Sequence, residues 1–212
     1  MCTGRVDLEF VLRAFSNGMD GVFIGGCRLN ECNYITHGNY HALHMVLLCR
    51  KIMEHIGLNP ERLRIEFMSS GEGIRFAEVV NDFVKKIKAL GPLGIGEGID
   101  KKGLKLKLKA AKNLVPYIKL VERERLRARF DTEDEYNKFF ASDEVDRLFR
   151  ELIVDKLTIS QILLLLRERP LSTGEIAEIL GLSPSEVSRY LNSSAREGLV
   201  RFDEIQKCFV PA

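Results

Sequence analysis

The 212-residue chain is 45% hydrophobic and 29% charged, a balance that supplies buried cores and excludes disorder along its whole length. Its longest uncharged apolar runs, Gly21 to Cys27 and Ile162 to Leu166, fall far short of the ~20 residues that span a bilayer, and no secretory leader pattern opens the sequence. A soluble, cytoplasmic chain without membrane association is expected, and five cysteines, an odd number, favour metal or redox roles over a disulfide scaffold in a reducing compartment.

A net charge of +2 hides an internal asymmetry. Residues 1–98 are neutral, residues 99–130 hold 11 Lys and Arg against 3 Asp and Glu, residues 131–158 hold 4 against 9, and residues 159–212 hold 6 against 7. Such blocks attract one another, attract partners, or are solvated helix faces.

In chain order, Asp7 to Phe15 reads as a helix with Leu8, Val11, Leu12 and Phe15 on one face, closed by Asn17-Gly18. Val22-Phe23-Ile24 is a short buried strand followed by Gly25-Gly26, and residues 39–56 form a second helix ended by Gly57. Leu63 to Met68 alternates like a strand, and Ile74 to Leu90 is a third helix before Gly91-Pro92. Strands alternating with helices at this spacing imply parallel βα units. Two strands make a small parallel sheet, and the opening Met1-Cys2-Thr3-Gly4 suits the end of a further strand whose body lies upstream, so the reading is a partial α/β domain lacking its first strand.

Leu93 to Gly98 is a glycine-rich connector that matches no phosphate-binding loop and marks the expected end of the first domain, 1–98. A helical segment, 99–156, follows. Leu104, Leu108, Ala111, Val115 and Ile118 give an amphipathic helix with Lys101, Lys102, Lys105, Lys107, Lys109 and Lys112 opposite, and Pro116 should kink or restart it. Thr132 with Glu135 forms a capping box, and Ser142 is placed to cap a helix through Val145, Leu148, Phe149, Leu152 and Ile153. Three further boxes, Thr158 with Gln161, Ser172 with Glu175, and Ser183 with Glu186, predict helix starts in a third domain, 157–212. Gly181 and Gly198 end the last two helices, and Leu199–Phe202 with Cys208–Val210 complete a winged helix-turn-helix.

Cys27-x4-Cys32 follows the first strand at the carboxyl edge of a parallel sheet, where loop side chains converge. Cys2, after a strand of the same sheet, would project there too. Three thiols at one edge suit an iron-sulfur cluster or zinc, each of which takes four ligands; a redox-active thiol pair and inert buried cysteines stay open, and no fourth ligand is evident. Cys49 shares a helical face with Ala42, Met45, Val46, Met53 and Ile56 and reads as core, while Cys208 lies in the wing. His37, His41, His44 and His55 share one stripe of the second helix, expected as a partly exposed polar band beside the core rather than a zinc site.

Met-Cys-Thr-Gly-Arg-Val-Asp at 1–7, Gly-Gly-Cys-Arg-Leu-Asn-Glu-Cys-Asn-Tyr at 25–34, Gly-Asn-Tyr-His-Ala-Leu at 38–43 and Ser-Ser-Gly-Glu-Gly-Ile-Arg-Phe-Ala at 69–77 resemble the delta subunit of methyl-viologen-reducing hydrogenase over about the first hundred residues. The resemblance implies a small iron-sulfur subunit carrying a 2Fe-2S cluster, with Cys2, Cys27 and Cys32 matching cysteines of the pattern. It implies electron passage between a hydrogenase or formate dehydrogenase and heterodisulfide reductase in anaerobes. Members of the family usually carry an upstream segment with further cysteines. No acid, base and nucleophile are arranged for chemistry beyond electron transfer.

A winged helix suggests DNA, with Ser185, Ser188, Arg189, Asn192 and Arg196 as the candidates facing the groove or phosphates. Its net charge of −1 opposes phosphate neutralisation, so protein docking is favoured over nucleic acid. The alternative is a transcription regulator whose cysteines sense redox state and whose winged helix binds an operator.

Overall fold

The computed structural model describes residues 2–34 and 37–212; Met1, the first residue of the opening motif, and Ile35 and Thr36 lie outside the described residues. The chain divides into two compact units, 1–148 and 149–212.

In the first unit α1 (Leu8–Ser16) starts where the Asp7 carboxylate accepts from the Glu9 N–H at 3.0 Å, satisfying one of the helix's open amides. It buries Leu8, Val11, Leu12 and Phe15, the face that the sequence spacing marks. β1 (Val22–Gly26) and β2 (Leu63–Phe67) pair in parallel, Val22 opposite Leu63 and Gly26 opposite Phe67. α2 (Asn39–His55) makes the crossover between them, and α3 (Gly73–Leu90) follows β2. The period of two along β1 sends Phe23 against Phe83 and Phe76 of α3, with ring centroids 5.7 and 6.3 Å away, and the next residue, Ile24, to the buried opposite side. A side chain at Gly21 would meet Ile87 at 2.7 Å and the Phe83 ring at 2.9 Å, so any larger residue there would push these two α3 side chains aside.

α2 is the central element. Its buried residues run from Asn39 through Ala42, Leu43, Val46, Cys49, Ile52 and Met53, a wider face than a surface helix needs, because α1, β2 and the later helix α6 (Glu133–Phe140) all pack on it. α3 is the opposite case: only Phe83 of its 18 residues is buried, and Ile74, Phe76 and Val84 are exposed.

α4 (Lys101–Asn113) is capped by Asp100, which accepts from the Lys102 and Gly103 N–H groups, and α5 (Val115–Val121) restarts at Pro116. α6 carries the complete Thr132–Glu135 capping box. α4 packs on α1, so residues 99–148 count with the first compact unit. The Leu93–Gly98 connector is also anchored there, since Glu97 binds Arg62 and the Asn59 and Gly94 N–H groups.

α7 (Asp143–Phe149) leads through one π turn, Arg150–Val154, into α8 (Asp155–Glu168). The Thr158–Gln161 capping box expected from the sequence is therefore not a helix start. Thr158 sits inside α8, donating its hydroxyl to the Val154 carbonyl at 3.2 Å; the chain upstream is already helical, so there is no open amide for it to cap. The other two boxes form in full at α9 (Thr173–Leu180) and α10 (Pro184–Arg196), and Gly181 takes the left-handed conformation (φ 66°) between them. β3 (Val200–Asp203) and β4 (Cys208–Pro211) make the antiparallel wing. Ile159, Ile162, Leu166, Leu171, Ile176, Val187, Leu191 and Val200 form this unit's core, giving the winged helix-turn-helix that the sequence predicts. Among the described residues no helix is long and apolar enough to cross a membrane.

Candidate functional site

Parallel pairing puts the ends of β1 and β2 at one edge of the sheet, and the loop after β1 carries Cys27 and Cys32 there. Cys2 precedes a short 3-10 turn, Thr3–Arg5, and the Thr3 hydroxyl donates to the Gly25 carbonyl at 2.9 Å, pinning this segment to the end of β1. The Sγ atoms of Cys2 and Cys32 are 3.6 Å apart, and Cys27 stands near enough to both for their charges to raise it. Three thiols from two distant stretches of chain thus lie at this edge.

Missing side chains make the room. A Cβ at Gly38 would come 2.4 Å from Cys32 Sγ and 2.3 Å from the Tyr34 carbonyl, and one at Gly4 would overlap the His37 carbonyl at 1.9 Å. Neither position admits another residue without displacing the cysteine loop.

The thiols are electrostatically unequal. Burial pushes Cys27 up, and the neighbouring Cys32 and Cys2 add to this. Burial also pushes Cys32 up, but backbone N–H groups of Tyr34 and Asn39 and the thiols of Cys2 and Cys27 outweigh it and leave Cys32 lowered. Of the two, Cys32 is held lower than Cys27.

Sequence reading missed three supporting residues. Asn39, the first residue of α2 and buried, donates from Nδ2 to the carbonyls of Cys27 (3.0 Å) and Arg28 (2.7 Å) and lies 3.6 Å from Cys27 Sγ. Arg28 reaches Glu72 with two bonds, Nε to Oε2 at 2.9 Å and Nη2 to Oε1 at 2.7 Å, and Glu72 also accepts from the Ser69 N–H at 2.6 Å. The Arg28 hydrogen bond, then that of Ser69, holds the Glu72 carboxyl down at about 2. This clamp ties the loop after β1 to the loop after β2. The usable signal was position: in a βα unit every loop after a strand lies at the same edge.

Among the described residues no three His, Cys, Asp or Glu side chains already form a group that could hold a metal ion. The donor set still fits a thiophilic group. Sulfurs ~2.3 Å from a tetrahedral metal are roughly 3.8 Å apart, close to the 3.6 Å between Cys2 and Cys32, and soft thiolates select iron-sulfur clusters or zinc. The other cysteines stand elsewhere: Cys49 is sealed in α2 and pushed by burial up to about 12, and Cys208 lies on β4 of the second unit.

The histidine stripe is not uniformly a polar band. His37 and His55 are exposed and His41 is half-buried, but His44 is 2% exposed, with Phe140 4.9 Å and Tyr136 6.1 Å from its ring. The correction follows from α6, which covers this part of α2 and turns a solvent-facing position inward.

The family model "Methyl-viologen-reducing hydrogenase, delta subunit" matches residues 1–91, and "Bacterial regulatory protein, arsR family" matches residues 158–201. The chain is similar to an F420-non-reducing hydrogenase iron-sulfur subunit of Archaeoglobus profundus, 47% identical over 91 residues, 43% of this chain and 66% of that protein. It is similar to a subunit of the Ferredoxin/F(420)H(2)-dependent CoB-CoM heterodisulfide reductase of Methanosarcina acetivorans, 46% identical over 94 residues, 44% of this chain and 12% of that protein. The chain thus spans under two thirds of these relatives. The F420-non-reducing hydrogenase vhc iron-sulfur subunit of Methanococcus voltae is 41% identical over 101 residues, 48% of this chain and 69% of that protein. Through this N-terminal match, the chain belongs to the methyl-viologen-reducing hydrogenase delta-subunit family.

Proposed function

We propose that this chain is an electron-transfer protein whose first 98 residues hold a 2Fe-2S cluster on Cys2, Cys27, Cys32 and one further donor. The observation that carries the reading is the meeting of three thiols at one sheet edge, Cys2 and Cys32 at 3.6 Å, in a region similar to proteins named as iron-sulfur subunits. A bound cluster would accept and release single electrons; the chain's own residues hold it, exclude side chains through Gly4 and Gly38, and tune it by hydrogen bonds.

The partners we infer are subunits of heterodisulfide reductase and of a hydrogenase or formate dehydrogenase. In one relative the same stretch is part of a heterodisulfide reductase chain, and in others it is part of a hydrogenase, so this module works against both kinds of protein. The winged helix serves as a docking module, and the cytoplasm is the compartment in which reduced thiols and such partners coexist.

Anaerobically purified full-length protein should contain iron and acid-labile sulfide in equal amounts. Zinc without sulfide would overturn the reading. A second reading, a redox-sensing regulator, draws on the arsR-family match at residues 158–201 and would be favoured by submicromolar, sequence-selective DNA binding.

A further inference from the structure

We propose that Asn39 is a positioning residue for the Cys27-x4-Cys32 loop: its side-chain amide fixes the turn at Cys27 and donates to the Cys27 sulfur, while the helix end that it opens faces the Cys32 sulfur. The proposal rests on the iron-sulfur reading for its effect on potential, and on geometry alone for the hydrogen bonding.

Three observations carry it. Asn39 is 2% exposed, so its amide must be satisfied inside the protein. The orientation of that amide is fixed by its surroundings: Oδ1 accepts from the Tyr40 N–H at 2.9 Å, and Nδ2 faces two carbonyls, Cys27 O at 3.0 Å and Arg28 O at 2.7 Å, with Cys27 Sγ at 3.6 Å. Only an NH₂ group can face two carbonyls and a sulfur. The third observation is that the end of the 17-residue helix that Asn39 opens lies against Cys32, since a Cβ at Gly38 would come 2.4 Å from its Sγ, and amides at such an end point outward and favour negative charge. One residue therefore binds Cys27 and opens the helix whose N-terminal end lies at Cys32, and Gly38 before it leaves no bulk between the helix end and Cys32 Sγ.

Hydrogen bonds to ligand sulfurs favour the more electron-rich, reduced state of a cluster and raise its potential. Asn39→Ala removes the side-chain donor and keeps the backbone of the helix end, so Cys27 loses its hydrogen bond while the surroundings of Cys32 stay the same. Asn39→Asp preserves shape and places a carboxylate against two carbonyls and a sulfur.

The test is a redox titration followed by electron paramagnetic resonance on full-length wild type, Asn39→Ala and Asn39→Asp, each assayed for iron and sulfide. The expected result is a lower midpoint potential in Asn39→Ala and a lower one still in Asn39→Asp. A loaded variant with the wild-type potential overturns the proposal. Two measurements need no variant. Pulsed spectroscopy of reduced wild type labelled with side-chain ¹⁵N asparagine should show a weak nitrogen coupling to the cluster, and its absence overturns the sulfur contact. In cluster-free wild type the Asn39 side-chain amide protons should exchange slowly with solvent; exchange at the rate of a free asparagine overturns the positioning role. Wild type without iron and sulfide would sink the electron-transfer reading, while the exchange measurement still decides the hydrogen bonding.

Discussion

Arg62 and Glu97 form a buried ion pair, Nε to Oε1 at 2.5 Å and Nη2 to Oε2 at 3.2 Å, with Arg62 fully buried. The remaining guanidinium hydrogens go to the carbonyls of Asp20, Leu90, Gly91 and Pro92. One side chain thus joins the end of α1's loop, the end of α3 and the connector. Removing one partner of a buried pair leaves an uncompensated charge, which costs about 3–5 kcal/mol. Arg62→Ala and Glu97→Ala should each lose stability on that scale in denaturant unfolding. Losses under ~1 kcal/mol, the scale of an exposed pair, would show that water enters and compensates.

Cys27→Ser and Cys32→Ser should abolish iron and sulfide binding, whereas Cys49→Ala should leave it intact. Cys49 is fully buried among α2 core residues, whereas Gly38 lies against Cys32 Sγ and the Gly4 N–H donates to Cys2 Sγ. Loss of the cluster in Cys49→Ala, measured with helicity retained, would make Cys49 the fourth ligand.

Much of this arrangement is legible in the sequence, and for local reasons. Asp7, Thr132, Ser172 and Ser183 cap helices because each stands before a helix whose first amides are open. Thr158 has the same neighbours in sequence, yet the chain before it is helical, which depends on Ile153 and Leu157 being drawn into a core. The cysteines could be placed at one edge from strand-loop-helix order alone. The same order puts Arg28 and Glu72 at that edge, but their pairing across 44 residues and the contact of Asn39 with the loop 11 residues before it arise only in the fold. His44 likewise reads as surface until α6, nearly a hundred residues on, covers it.

His44 makes stability depend on pH. Burial, with help from His41 and Arg127, holds its imidazole down at about 4 against an ordinary 6.5. Its Nε2 is 3.4 Å from Glu122, but among the described residues neither ring nitrogen has a hydrogen-bond partner, so the contact is not a formed ion pair. The folded state keeps His44 neutral while the unfolded chain takes up a proton near pH 6.5. Stability is therefore fully present above that pH and is lost as pH falls from 6.5 towards 4, by up to about 3 kcal/mol. Burial raises the Glu122 carboxyl, which works in the opposite direction, because the folded state then binds that proton first. Unfolding of wild type and His44→Phe should be compared from about pH 7 to pH 4, the window that spans both imidazole values, and the variant should show a flatter decline. Parallel curves would place the acid sensitivity elsewhere.

The winged helix has a shape associated with DNA and a surface that argues otherwise. Its recognition helix α10 exposes Ser185, Arg189, Asn192 and Arg196, but also Glu186, whose carboxylate is held low by the Ser183 cap and so stays charged. The wing exposes Phe202 at 50% and Ile205 at 94%, apolar groups that gain little from phosphates and more from a protein surface. Residues 159–212 carry 6 basic against 7 acidic side chains, whereas non-specific duplex affinity scales with the number of phosphates neutralised. Residues 149–212, a compact unit with its own core, should therefore show no salt-dependent binding tighter than a Kd of ~10⁻⁶ to 10⁻⁴ M. Ile205→Asp should leave that result unchanged and weaken co-purification of the full chain with heterodisulfide reductase components. A salt titration on duplex DNA and a quantified co-purification read the two halves separately. Submicromolar DNA binding that falls steeply with salt, with co-purification indifferent to Ile205, would transfer the module from protein docking to operator recognition.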